Sequence, residues 1–140
     1  MRKIVLRGHK GIEGKAEGEA LVTKNPINLF ADVDPVTGKV ISKATLPDLY
    51  GKSIAGKVLV FPTGKGGTWS VWWLAELAER GVGPKAMINV RSHPIFVHAA
   101  IVSKVPLVDR LDKNPLEIIE TGDYVRVDAK QGIIEVEKKN

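Results

Sequence analysis

Lys65, Thr68 and Ser70 stand close together in a stretch that also carries Gly64, Gly66 and Gly67. The apolar run Val58-Leu-Val-Phe61 precedes them, and Val71 to Arg80 reads as a helix that stops at Gly81. A strand, a loop of small residues and a helix start together aim unpaired backbone N–H groups at one place. The helix dipole favours negative charge at that same place. An ammonium at Lys65 and hydroxyls at Thr68 and Ser70 add donors, so the stretch is the candidate active or binding site, with an anion as its ligand. The same residues also suit an ordinary turn, with glycines at positive φ and Thr68 or Ser70 as a plain N-cap. Two familiar phosphate loops are excluded. A Walker A loop needs a glycine where Leu59 stands, and a dinucleotide G-x-G-x-x-G needs one where Trp69 stands.

Elements must hold this loop in place. Lys3 to Leu6 and Gly14 to Val22 read as extended, Asp34-Pro-Val-Thr-Gly38 as a tight turn, and Val40-Ile41 as extended again. Lys57 to Phe61 is continuously apolar, as a strand buried on both faces is. An alternation follows: the helix Val71–Arg80, a strand Ala86–Val90, a helix Pro94–Ser103 opened by proline, and a strand Pro106–Val108. Asp123–Asp128 and Gly132–Glu137 read as a hairpin. The pattern predicts an α/β domain in which a mainly parallel βαβαβ layer is stacked on a second β layer. In the first helix Val71, Leu74, Ala75 and Ala78 fit a buried stripe. Trp69 and Trp73 are expected in the core, whereas Trp72, on the side of Glu76 and Glu79, is expected at a subunit interface.

The chain has 140 residues, enough for one domain with a real core, expected to span 1–140. Its 44% hydrophobic and 26% charged residues are those of a soluble globular protein. No apolar run is long enough for a transmembrane helix, and the N-terminus lacks a signal peptide, so a cytoplasmic protein is expected. There is no cysteine, which excludes disulfides and any cluster or zinc held by thiolates of this chain. His9, His93 and His98 lack the spacing of a metal face, so no metal site is expected. His98 is expected to pack or cap within its apolar helix, and His93 to precede a helix start. The net charge of +5 is scattered. Without a basic patch and aromatic platforms, nucleic acid is not an expected partner; a small anion or an acidic protein suits the charge better.

Several ordered motifs carry a resemblance. Gly18-Glu-Ala-Leu-Val22, Asn25-Pro-Ile27, Val33-Asp-Pro-Val-Thr-Gly38, Gly56-Lys-Val-Leu-Val-Phe-Pro-Thr-Gly-Lys-Gly66 and Ile101-Val-Ser-Lys-Val-Pro-Leu-Val-Asp-Arg110 resemble the swivel-domain subunit of the aconitase X family, from about Gly11 to Val136. The resemblance implies a swivelling β/β/α fold and a heterodimer with a larger, cysteine-bearing subunit that carries a [4Fe–4S] cluster. It implies a hydro-lyase acting on a small anionic hydroxy acid, with removal of water from (R)-5-phosphomevalonate as the archaeal form of the reaction. It also implies that Gly64, Lys65, Gly66 and Gly67 bind the substrate's anionic part. The family loop reads Gly-Lys-Gly-Ser-Thr, with the serine as catalytic base. Here Gly67 stands at the serine's position, so Thr68 is the first candidate for the catalytic hydroxyl and Ser70 the second.

Two other readings compete. The segment Gly122–Asp128 with Gly132-Ile-Ile resembles the final hairpin of phosphohistidine swivel domains, but no histidine lies between Gly11 and Val90 to act as their nucleophile. A non-catalytic scaffold or anion-binding subunit of another aconitase-like hydro-lyase fits the missing serine.

Overall fold

The computed structural model describes residues 2–9, 11–12 and 14–139. Its elements, in chain order, are β1 (Lys3–Arg7), β2 (Lys15–Val22), α1 (Leu29–Asp32), β3 (Val58–Phe61), α2 (Trp69–Glu79), β4 (Ala86–Asn89), α3 (Pro94–Ser103), β5 (Leu107–Val108), α4 (Pro115–Ile118), β6 (Tyr124–Asp128) and β7 (Ile133–Glu137). The strands are hydrogen-bonded in the order β1-β7-β6-β2-β3-β4-β5. β2 belongs to two ladders. Lys15 to Glu19 pair antiparallel with β6, and Ala20 to Val22 pair parallel with β3. The three strands read from the alternating stretch, β3, β4 and β5, lie side by side and parallel.

Layering follows from burial. Every residue of β3, β4 and β5 is buried, so both faces of these strands need cover. On one face Val58, Val60, Ala86, Ile88 and Val108 share a core with Leu6, Val125, Val127, Ile134 and Val136 of the antiparallel strands. On the other, Leu59, Phe61, Met87 and Leu107 pack with Leu74 and Leu77 of α2 and with Phe96, Ala99 and Ala100 of α3. Antiparallel strands, parallel strands and helices therefore stack in that order, the expected β/β/α arrangement. The outer ends of the sheet meet as well, because His9 N–H donates to the Asp109 carbonyl (3.2 Å) and Ile12 N–H to that of Leu107 (3.1 Å).

The stripe expected on α2 differs. Ser70, Leu74 and Leu77 are buried, Val71 and Trp73 are half-buried, and Ala78 is exposed. The Trp73 indole N–H donates to the Val33 carbonyl at 2.8 Å and the ring stands edge-on to Phe30. These contacts roll the helix towards α1. Trp69 lies outside the core, 58% exposed, its ring 5.9 Å from that of Phe30.

The C-terminal strand is held by a charged staple. Asp123 is fully buried and accepts from the Lys138 ammonium at 2.6 Å and from the N–H groups of Glu120 and Lys139. Lys138 also donates to the Ile118 carbonyl. Burial alone raises the Asp123 pKa, but Lys138 and the two backbone donors outweigh it, and the carboxyl sits below its ordinary value. Burial pulls Lys138 down, yet Asp123 and Glu120 together hold it above the ordinary lysine value. A depressed carboxyl contributes stability that is complete above its unfolded pKa, about 3.9, and is lost as pH falls through the folded one. A raised ammonium contributes stability that is complete below about 10.4 and is lost as pH rises through its folded value. Lys138→Met strands the buried carboxylate and is expected to cost about 3 kcal/mol at neutral pH. In urea titrations the gap from wild type should close as pH falls below the ordinary carboxylate range and through the lowered folded pKa of Asp123.

Candidate functional site

The glycine loop occupies the end of β3 from which the chain turns into α2. Its conformation is fixed from four sides. Ile27 N–H donates to the Thr63 carbonyl at 3.2 Å, and Lys65 N–H returns the bond to the Ile27 carbonyl at 2.9 Å. Val90 and Arg91, leaving β4, both donate to the Pro62 carbonyl. Gly64 lies flat on Phe96, so close that a Cβ there would come within 2.2 Å of the ring. Gly66 has φ of 104° and abuts the Asn28 side chain, which caps α1 through Ala31 N–H. Two of the three glycines are thus required by close approach, and Gly66 by its positive φ as well.

Gly67 is different. A Cβ there would meet nothing within 4 Å, and its φ is not positive. The site has room for a side chain at the position where the family pattern places serine.

The loop brings Lys65, Gly66, Gly67 and Thr68 together on the exposed surface. Ser70 N–H turns back to the Gly67 carbonyl and Val71 N–H to that of Thr68. The N–H groups of Gly66, Gly67, Thr68 and Trp69 meet no acceptor among the described residues. Thr68 occupies the N-cap with helical φ and ψ, and its side chain makes no capping bond. Its hydroxyl is exposed and uncommitted. Ser70 is placed otherwise: it is fully buried in the first turn of α2, and its Oγ has no hydrogen-bond partner. Below the loop, Asn89 ends β4, fully buried, and its amide N–H donates to the Phe61 carbonyl while Oδ1 is unpartnered. Buried polar atoms without partners are uncommon and mark places where function competes with stability.

Thr68 at the N-cap, Trp69, Val71 and Trp72 of α2 and His98 of α3 line a cleft of about 360 Å³. The expectation that His98 packs within its helix is therefore corrected. Pro94, His98, Ile101 and Val102 form the exposed stripe of α3, while Phe96, Ala99 and Ala100 face the core. The helix is apolar on both sides, so periodicity could not separate the two faces; the spacing of 94, 98, 101 and 102 was the available signal. His93 does what its place before Pro94 suggests, Nδ1 accepting from Ile95 N–H. Trp72 is 70% exposed on the rim of the cleft. The contact of Asn28 with the loop was not read from sequence. Among the described residues no group of three or more acidic or histidine side chains is placed to hold a metal ion, and no helix is long and apolar enough to cross a membrane.

Geometry separates the loop's glycines by cost. Gly64→Ala should destabilise the fold by about 1–3 kcal/mol through overpacking against Phe96, whereas Gly67→Ser should leave the melting temperature within about 2 °C of wild type. Paired thermal melts of the two variants measure the contrast.

Comparison with known proteins finds relatives over most of the chain. Residues 5–136 match the family model described as "Aconitase X swivel domain". The chain is 47% identical to the phosphomevalonate dehydratase small subunit of Methanocella arvoryzae, over 94% of this chain and 98% of that one. It is 44% identical to the protein of the same name from Methanosarcina acetivorans, over 99% and 94% of the two chains. Among solved structures, holo-form aconitase X from Thermococcus kodakaraensis superposes with a TM-score of 0.88 at 41% identity, covering 96% of this chain and 99% of that one. The chain belongs to the aconitase X swivel-domain family.

Proposed function

We propose that this chain is the small subunit of a cytoplasmic, two-subunit hydro-lyase that removes water from (R)-5-phosphomevalonate to give trans-anhydromevalonate 5-phosphate. The observation that carries the reading is end-to-end identity of 44–47% with proteins named as that enzyme's small subunit. The loop at the end of β3 supports it with chemistry suited to an anionic substrate.

In this reading Lys65 and the free N–H groups of Gly66, Gly67, Thr68 and Trp69 hold an anionic end of the substrate. Donors fixed before the substrate arrives stabilise charge that develops in the transition state without reorganising. Ser70, in the same first turn, is fully buried and presents no hydroxyl to a ligand on the exposed loop. Thr68, exposed and free of capping duty, is the hydroxyl that faces the substrate, and it takes the part that the family assigns to the residue at Gly67. Single-domain organisation over 1–140 belongs to the same proposal.

A [4Fe–4S] cluster does not fit the residues of this chain, which offers no thiolate. The cluster implied by the family therefore belongs to the larger subunit in this proposal, and no step assigned to this chain passes through it. Trp72, exposed on α2, is the anchor proposed for that subunit.

A second reading keeps the anion site and removes the chemistry. Gly67 leaves the family's serine position vacant, as a scaffold or anion-binding subunit of another aconitase-like hydro-lyase could. Kinetics distinguish the two. The chain mixed alone with (R)-5-phosphomevalonate should form no product, and anaerobic addition of its cluster-bearing partner should give turnover. In the assembled enzyme Lys65→Ala should raise KM about tenfold or more, the loss of a charge-assisted hydrogen bond. Thr68→Ala should lower kcat by about 100-fold or more. Unchanged kcat in Thr68→Ala, with Lys65→Ala still raising KM, selects the scaffold reading.

A further inference from the structure

We propose that His98 is the proton acceptor behind Thr68, a positioning residue that lets a threonine stand in where the loop has glycine at position 67. This rests on the reading of Thr68 as the hydroxyl that faces the substrate. Three observations carry it.

First, His98 and Thr68 line one cleft, from facing helices, and the rest of that lining is Trp69, Val71 and Trp72. Secondly, His98 is exposed and has no hydrogen bond or ion pair among the described residues, so its imidazole is not committed elsewhere. The Thr68 hydroxyl makes no capping bond. Thirdly, Gly67 places no side chain between the loop and the cleft, and a Cβ there would have no neighbour within 4 Å. A hydroxyl is a poor base until something takes its own proton, and an imidazole within reach, directly or through one water, is the usual partner.

Charged groups near this cleft are few. On α2 the nearest are Glu76 and Glu79, which line the neighbouring groove with Trp72, Ala75 and Val102. Lys65 precedes Thr68 on the loop, and Lys104 caps the far end of α3. Of β4 and β5, packed beneath α3, no residue is titratable.

The C–H bond beside the leaving group breaks, and its electron pair becomes the π bond of the new alkene. The hydroxide departs with the C–O pair into the larger subunit's half of the site. The substrate proton passes to Thr68 Oγ as the Oγ–H proton passes to the imidazole. His98 ends the step as imidazolium and gives its proton to the released hydroxide, so the net products are the alkene and water.

The test uses the assembled two-subunit enzyme and (R)-5-phosphomevalonate, with constants expressed per assembled heterodimer. His98→Asn and His98→Gln should lower kcat about 100-fold while KM stays within about twofold. Both should remove the acid limb of the wild-type kcat profile. Thr68→Ala combined with His98→Asn should be no slower than Thr68→Ala alone, since two groups acting as a unit are not additive. If Thr68→Ala is slow but the His98 variants keep wild-type kcat and its acid limb, this inference is overturned and the role of Thr68 stands. If Thr68→Ala has wild-type kcat, the role of Thr68 fails and the inference fails with it. If the His98 variants only weaken assembly, measured by sedimentation, with kcat and the acid limb unchanged, His98 belongs to an interface and the inference is again overturned.

Discussion

Burial of β3 and β4 on both faces is the constraint from which the rest of the architecture follows. Their side chains alternate into two cores, Val58, Val60, Ala86 and Ile88 on one side and Leu59, Phe61 and Met87 on the other. Each of the larger side chains contributes about 1.5–3 kcal/mol when removed from water, but only if both layers are present. The antiparallel strands and the two helices therefore stabilise the same pair of strands from opposite directions. β2 joins the layers covalently, since one half pairs with β6 and the other with β3. Asn89 marks where this apolar regime ends. It is the polar residue of β4, buried at the edge from which both loops depart.

That edge is also where ligands bind in open parallel sheets, because the loops leaving the strands converge there. In this chain the convergence is a hydrogen bond pattern: the segment leaving β4 donates twice to the Pro62 carbonyl at the start of the glycine loop. The segment after β2 reaches the same loop through Ile27 and Asn28. Three chain segments thus meet around Gly64 to Thr68, and each is anchored in a strand or a capped helix.

Much of this was legible in the amino-acid sequence. The stretches read as strands at 57–61 and 86–90, with the proline-opened helix at 94 between them and the strand at 106–108, gave the parallel layer. Gly64, Gly66 and Gly67 marked the turn, but the close approach to Phe96 and Asn28 was not legible, because those partners come from distant segments and no local pattern names them. The aromatic cluster was harder. Trp69, Trp72 and Trp73 are adjacent in sequence, and only the contact with Val33 and Phe30 decides which of them turns inward. His98 was misplaced for a related reason: α3 exposes Ile101 and Val102, so its outer face looks as apolar as its inner one. Where a surface is itself sticky, hydrophobic periodicity loses its contrast, and contacts between helices carry the missing information.

The pinning of the glycine loop has a mechanical consequence. A loop fixed at Ile27, Asn28, Pro62 and Phe96 has given up its conformational entropy on folding, and binding does not have to order it. It also cannot adjust by itself. Its aim is set by the orientation of the whole body to which it is fastened, so small rotations are amplified by distance. A swing of about 3° about a pivot some 20 Å away moves the loop tip by about 1 Å, and a misplacement of that size can cost about 100-fold in rate. The surface that fixes the angle of this body therefore governs the chemistry as directly as the residues at the tip, even if it never touches the substrate.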